Sequence, residues 1–292
     1  MVAGSTLPAA DPLRCAALRT VVAATLAVAP MAAWAADAIG YVTSAASLMG
    51  RVTVVDARAQ AACLKRSIDG AHCLPAKEFL DLHGRLAGFR EIYWLLGTAG
   101  LSGSEHVLVV GDDPTERDFV AGMLYLCGQR KVSILTLPLS QGAGLPAARL
   151  GTGMARAMTR NPYYQATVRE GDIVLRSELA RTLAAGTQLL DGCNAADCRG
   201  ERIRALAGAW SLPLSVARSR QVLGRLELPA GRRFLAYGRD PFESVAYFAL
   251  LRAGTGAAVS VLLDGSTERP PLAAHHVPQA AAAATHARRR MR

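Results

Sequence analysis

Two kinds of segment alternate along the hydrophobic pattern of the chain. Short apolar runs such as "RVTVVD" ending at Asp56, "EHVLVVG" ending at Gly111 and "KVSILTL" ending at Leu137 are continuous rather than polar at every second position. That pattern predicts strands buried on both faces of a parallel sheet. Between them, "GFREIYWLLGTAG" and "TERDFVAGMLYLCG" carry apolar residues at helical spacing and end on glycine. The same alternation returns later as "TQLLD", "SVARSRQVLGRL", "RRFLAYG", "PFESVAYFALLRAG" and "AAVSVLLD". The pattern predicts an α/β fold with helices on both faces of mostly parallel sheets and ligand loops at the C-terminal ends of the strands.

The second series repeats the first. "VLVVGDDPTERDFVAGMLYLCG", from Val107, matches "FLAYGRDPFESVAYFALLRAG", from Phe234, as strand, Gly-x-Asp-Pro-x-Glu and helix. Upstream, Asp56 and Cys63 correspond to Asp191 and Cys198, and Gly70, Ala71 and Pro75 to Gly208, Ala209 and Pro213. A repeat of this length predicts tandem domains rather than a solenoid. The expected division is a leader at 1–35, a first domain at 36–137, a linker at 138–170, a second domain at 171–267 and a basic, disordered tail at 268–292. The Gly- and Pro-rich linker is expected to wrap over one domain.

The N-terminus changes the expected compartment. Arg14 and Arg19 precede "TVVAATLAVAPMAAWA", and Ala33-Trp34-Ala35 has the small-residue form of a signal cleavage site. The apolar stretch is short and interrupted by Pro30. A cleaved signal and a periplasmic mature chain beginning near Ala36, with no membrane span, are therefore expected; a retained anchor is the alternative. Six cysteines are present, of which Cys15 leaves with the leader. The odd remainder of Cys63, Cys73, Cys127, Cys193 and Cys198 leaves at least one thiol outside any internal pair.

The formal charge of +10 is compatible with acidic partners, and equally with an arginine-rich composition. Part of it lies in the tail, at Arg288, Arg289, Arg290 and Arg292. No folded face interleaves basic and aromatic residues, so a nucleic-acid role is not expected. No P-loop, dinucleotide fingerprint or Ser-His-Asp order is present, and no cofactor is expected. His72 beside Cys73 is too few ligands for zinc, and His275 and His276 lie in the tail, so no metal site is expected.

Three elements, in order, resemble the rhodanese superfamily in its tandem form, the sulfurtransferases of thiosulfate and 3-mercaptopyruvate. These are the strand ending in Asp56-Ala57-Arg58, the stretches "RSIDGAHCLP" and "RIRALAGAWSLP", and the strand-loop-helix units. The likeness runs from about Val42 to Asp264, and "YYQATVREGDIVLRSELARTL" is similar to the lead-in to a second such domain. The resemblance implies two rhodanese-like domains and a cysteine at the end of the strand before each active loop. In active members that cysteine carries a persulfide, and inward-facing N–H groups at a helix N-terminus stabilise it. Here Gly111 and Gly238 stand at those positions. Neither can be a nucleophile.

The loops depart from the family in charge as well. Asp112, Asp113 and Glu116, or Asp240 and Glu243, place carboxylates where an anion would sit, and Pro114 and Pro241 each remove an N–H. Asp-Pro-x-Glu is also good helix-starting chemistry, with a capping Asp, Pro at the first helical position and Glu in the first turn. The candidate ligand cleft comprises Gly238, Arg239, Asp240, Phe242, Glu243, Ser244 and Asp191. Cys193, at the position of the arginine in Asp-x-Arg, is the fallback nucleophile. With Cys198 it forms a disulfide, two inert buried thiols, or a sulfur-carrying pair; Asp191 and Asp197 oppose the last. Cys63 and Cys73 either pair or are held apart by the intervening "IDGAHC", and Cys127 is expected in the core. Three functions follow: a non-catalytic protein binding a periplasmic partner or small ligand at the cleft, a sulfurtransferase working through Cys193, or a structural protein whose tail makes the contacts.

Overall fold

The structure is a computed structural model that describes residue 1 and residues 38–146, 149–157, 163–193, 209–222 and 224–264. The expected signal segment and its cleavage site, Asp197, Cys198, Gly208 and the tail with His275 and His276 lie outside the described residues.

The described residues from Ala38 onward fall in one compact unit built on two five-stranded sheets. In the first half, β1 (Ala38–Val42), β2 (Thr53–Asp56), β4 (His72–Cys73), β5 (His106–Val110) and β6 (Lys131–Leu135) lie in the order β1-β6-β5-β2-β4. In the second, β8 (Ile173–Val174), β9 (Gln188–Asp191), β10 (Trp210–Ser211), β11 (Phe234–Tyr237) and β12 (Val259–Leu262) lie in the order β8-β12-β11-β9-β10. Every pair in both sheets is parallel, as the continuous apolar runs predict. The crossovers are α1 (Gln60–Lys65), α2 (Phe89–Thr98) and α3 (Pro114–Leu126), then α4 (Leu179–Ala184), α5 (Leu214–Val222) and α6 (Pro241–Thr255).

The repeat holds bond by bond. Asp56 lies opposite Val110, and Asp191 opposite Tyr237. The Ala57 amide donates to Val110 O at 2.9 Å, as Gly192 does to Tyr237 O. Leu74 donates to Asp56 O at 2.9 Å, and Leu212 to Asp191 O at 3.0 Å. Both halves therefore bring the Asp-x-Arg turn, or its counterpart, to the strand edge that carries Gly111 or Gly238.

Helices α3 and α6 are apolar over most of their circumference and are buried from Arg117 to Leu126 and from Ser244 to Leu251. They pack on each other through Phe119 and Phe242, with ring centroids 4.7 Å apart, and Tyr125 and Phe248, at 6.1 Å. Gly122 makes the approach possible, because a Cβ there would lie 2.7 Å from Val245 Cγ1 and 2.9 Å from its carbonyl oxygen. Two polar ties cross the same boundary. The Arg218 guanidinium of α5 donates to Asp118 at 2.6 Å, and Arg252 of α6 donates to the Tyr125 hydroxyl at 2.9 Å.

The segment expected as a linker wraps the first half. β3 (Ser67–Ile68) pairs antiparallel with β7 (Leu150–Gly151), and Met154 exchanges backbone bonds with Ala71 and Cys73. Gly153 rests against the sulfurs of Cys63 and Cys73, which form a disulfide with Cα atoms 5.8 Å apart. Of the two readings open for this pair, bonded or held apart by "IDGAHC", the structure has the bond. Gly70, at φ 73°, turns the segment back so that β4 pairs with β2 and faces α1.

Gly122→Ala is expected to destabilise the fold by about 1–3 kcal/mol by wedging α3 from α6. Urea unfolding of the two proteins measures it, and an unchanged midpoint would remove Gly122 from the account of the interface.

Candidate functional site

Both glycine loops are helix starts. In the second half, Asp240 caps α6 by accepting the Glu243 amide at 2.9 Å, with Pro241 at the first helical position. The Gly238 amide donates to the Ser244 hydroxyl at 2.9 Å, the Arg239 amide to Glu243 Oε2 at 3.0 Å, and the Ser244 amide to Asp240 O at 2.9 Å. The Arg239 guanidinium adds an ion pair to Glu243 Oε1 at 2.9 Å. These four amides are satisfied by the loop's own oxygens. Gly238 is buried, and a Cβ there would lie 2.6 Å from Glu243 Cβ and 2.8 Å from the Ser244 nitrogen. The loop has closed onto its glycine.

The first-half loop uses the same frame with different chemistry. Asp113 caps α3, accepting from the Thr115 amide at 2.7 Å and the Glu116 amide at 2.9 Å. Arg117, at the place of Ser244 in the repeat, is buried and donates to the Gly111 and Leu137 carbonyls at 3.0 and 3.1 Å. A Cβ on Gly111 would lie 3.1 Å from Arg117 Cγ, a contact with a side chain rather than with backbone. Arg58 makes a two-pronged bond to buried Asp56 and reaches Asp112 at 3.2 Å. Asp112 also accepts the Ser140 amide at 2.7 Å. Burial opposes the charge on Asp112, but the Ser140 bonds and the Arg58 guanidinium hold its carboxyl below the usual range.

In the second half the Asp-x-Arg turn keeps its shape and loses its cation. The Cys193 amide donates to Asp191 at 2.9 Å, as Arg58 does to Asp56 at 3.0 Å. Cys193 is buried and disulfide-bonded, with its partner outside the described residues. The fallback nucleophile is therefore not a free thiol in this structure. Cys127 is the free cysteine among the described residues; it is buried beyond the end of α3, and burial pushes its thiol strongly upward. Among the described residues no group of three or more His, Cys, Asp or Glu is placed to hold a metal ion.

The two loops open on one cleft of about 920 Å³ between the N-terminal turns of α3 and α6 and the side of α5. Of the expected cleft residues, Arg239, Phe242 and Glu243 line it. Gly238 and Ser244 are buried, Asp240 serves as the cap, and Asp191 holds the Cys193 turn. Asp113, Thr115 and Glu116 form the opposite wall, and Leu214, Arg218 and Val222 complete it from α5. The α5 residues are absent from the sequence-based site. That helix follows Pro213 in the repeat, which marks its start, but no periodicity indicates which face meets the other half.

Solved structures with this architecture include the 3-mercaptopyruvate sulfotransferase SseA from Escherichia coli, at TM-score 0.58 and 17% identity, over 78% of this chain and 100% of that one. That structure is described as having the "rhodanese" fold. The fold of the present chain is the rhodanese fold. A probable thiosulfate sulfurtransferase matches at TM-score 0.51 and 21% identity, over 74% of this chain and 93% of that one. YnjE matches at TM-score 0.56 and 17% identity, over 75% and 60%. No family model and no curated protein matches the chain.

Two outcomes test the site as described. In oxidised protein unfolded without reductant, alkylation is expected to label Cys127 and to spare Cys63, Cys73 and Cys193; peptide mass spectrometry reads this directly. Asp112 has its folded pKa below the unfolded one, so its contribution is present above the unfolded value and lost as pH falls through the folded value. Hydrogen-exchange protection of the Ser140 amide is therefore expected to fall in that acid range, and to be low already at neutral pH in Asp112→Ala.

Proposed function

We propose that this is an exported, non-catalytic member of the rhodanese-like proteins, which binds a small ligand or partner at the former active-site cleft and does not transfer sulfur. The observation that carries the reading is the closed loop at Gly238. Sulfur transfer on this fold, as the resemblance implies it, needs a thiol at the strand end and unoccupied N–H donors around it. Here the space a cysteine side chain would need is filled by the backbone of Glu243 and Ser244. The donors of Gly238, Arg239, Glu243 and Ser244 already have acceptors. The disulfide at Cys193 weighs against a displaced thiol doing the chemistry. Two disulfide-bonded cysteine positions, at Cys63–Cys73 and at Cys193, together with the leader-like N-terminus, support export to an oxidising compartment. The cleft itself is intact, apolar on one side and charged on the other, and of a size that holds a small molecule.

Thiosulfate:cyanide sulfurtransferase activity tests the reading. Wild type and Cys193→Ser are both expected to give the uncatalysed rate. Gly238→Cys is expected to stay inactive and to lose about 1–3 kcal/mol of stability, because its Cβ meets backbone. The quadruple variant with Gly238→Cys, Asp240→Ser, Pro241→Gly and Glu243→Arg is expected to gain measurable turnover. Wild-type turnover abolished by Cys193→Ser would replace this reading with a sulfurtransferase working through that cysteine.

A further inference from the structure

The repeat allows the two sides of the cleft to be compared residue by residue; they differ in charge at Asp112 against Arg239 and at Arg117 against Ser244, and buried Arg117 is turned to the Gly111 and Leu137 carbonyls. Glu243 has an internal cation, because its carboxylate takes the Arg239 guanidinium at 2.9 Å. Glu116 is its counterpart in the first half, and the position of Arg239 is taken there by Asp112. Asp112 turns away to Arg58 and the Ser140 amide. The Glu116 carboxylate makes no hydrogen bond or ion pair among the described residues, although its backbone is fixed by the Asp113 cap. The other cation on this wall, Arg218, is committed to Asp118 at 2.6 Å and to the Thr115 hydroxyl at 3.4 Å. The wall therefore presents carboxylates at Asp113 and Glu116, beside the apolar surfaces of Leu214, Val222 and Phe242.

From this we infer that the cleft takes a small organic cation, a guanidinium or primary ammonium on an apolar stem, with its head on Glu116 and Asp113 and its stem against Phe242, Leu214 and Val222. The inference rests on the reading of the cleft as a binding site. The Arg239–Glu243 pair across the cleft shows the interaction already made once by the same fold. A charged head beside a carboxylate gains a charge-assisted bond, and burial of the stem against the apolar side chains adds to it. The environment of Glu116 agrees: burial raises its pKa, and the negative charges of Asp113, Asp112 and Asp56 raise it further. An arriving cation relieves that repulsion, whereas a thiosulfate-like anion would add to it.

Isothermal titration of the full chain with agmatine at low ionic strength tests the assignment, with N-butylurea as uncharged control and thiosulfate as anionic control. Agmatine is expected to bind, with affinity falling as salt is added, and neither control is expected to. Glu116→Gln with Asp113→Asn keeps side chains of the same size and an asparagine cap, and is expected to weaken agmatine by about tenfold or more. Asp112→Arg supplies the internal cation found in the other half and is expected to abolish binding. If the double variant loses its cooperative thermal transition, Glu116→Gln alone, which leaves the cap intact, carries the comparison. Absence of agmatine binding to wild type, equal affinity in the variants, or tighter binding of thiosulfate overturns the inference. The cyanide assay contains no organic cation, so failure of the non-catalytic reading would show there and failure of this one only in the titration.

Discussion

The contact between α3 and α6 is the constraint on which the rest of the molecule depends. Each helix lies between its own sheet and the other helix, so their central turns keep no solvent face, and the apolar surfaces they cover merge into one cluster. The outer face of each sheet keeps a smaller cluster of its own. The helix contact fixes where the helix N-termini point, and the cleft is the space left between those termini and α5. Gly122 sets the distance of approach. The buried Asp118 fixes the angle of the third wall, because its carboxylate accepts both Arg218 from α5 and the Tyr41 hydroxyl from β1, at 2.6 and 2.8 Å. Loss of Arg218 would leave a carboxylate in the interior with one neutral donor, a costly state for a buried charge.

The halves share a frame but differ at the ends of its central strands. Position by position, the first loop carries Asp112 and Arg117 where the second carries Arg239 and Ser244. Arg117 holds its glycine by the carbonyl, while Ser244 holds its own by the amide. The Asp-x-Arg turn likewise keeps its backbone bond in both halves and its salt bridge only in the first. The shared geometry belongs to strand pairing and helix starts, which the core requires. The side chains differ although Arg117 and Ser244 are both buried, each bonding its own glycine through a different backbone group.

Much of this was legible in the chain because the informative signals are local. Apolar runs four to five residues long gave the central strands, and Asp-Pro-x-Glu gave both helix starts. β4, β8 and β10 are two residues each, too short to show a period. β1 is a partly exposed edge strand immediately after the leader-like segment, where apolar residues are expected for another reason. The Cys63–Cys73 bond depends on a turn at Gly70 and a strap arriving from Gly153, and neither can be inferred from the spacing of two cysteines. The cleft wall from α5 depends on the Arg218–Asp118 pair between halves, which no local pattern encodes.

The closure at Gly238 also bears on how the lineage could move. A thiol at this strand end is one residue change away. The space for it is not there, because the new side chain would land where Glu243 and Ser244 already pack. A substitution there lowers stability before the neighbouring positions have made room for it. Single changes at this strand end are therefore opposed by packing, whatever chemistry the new side chain would bring.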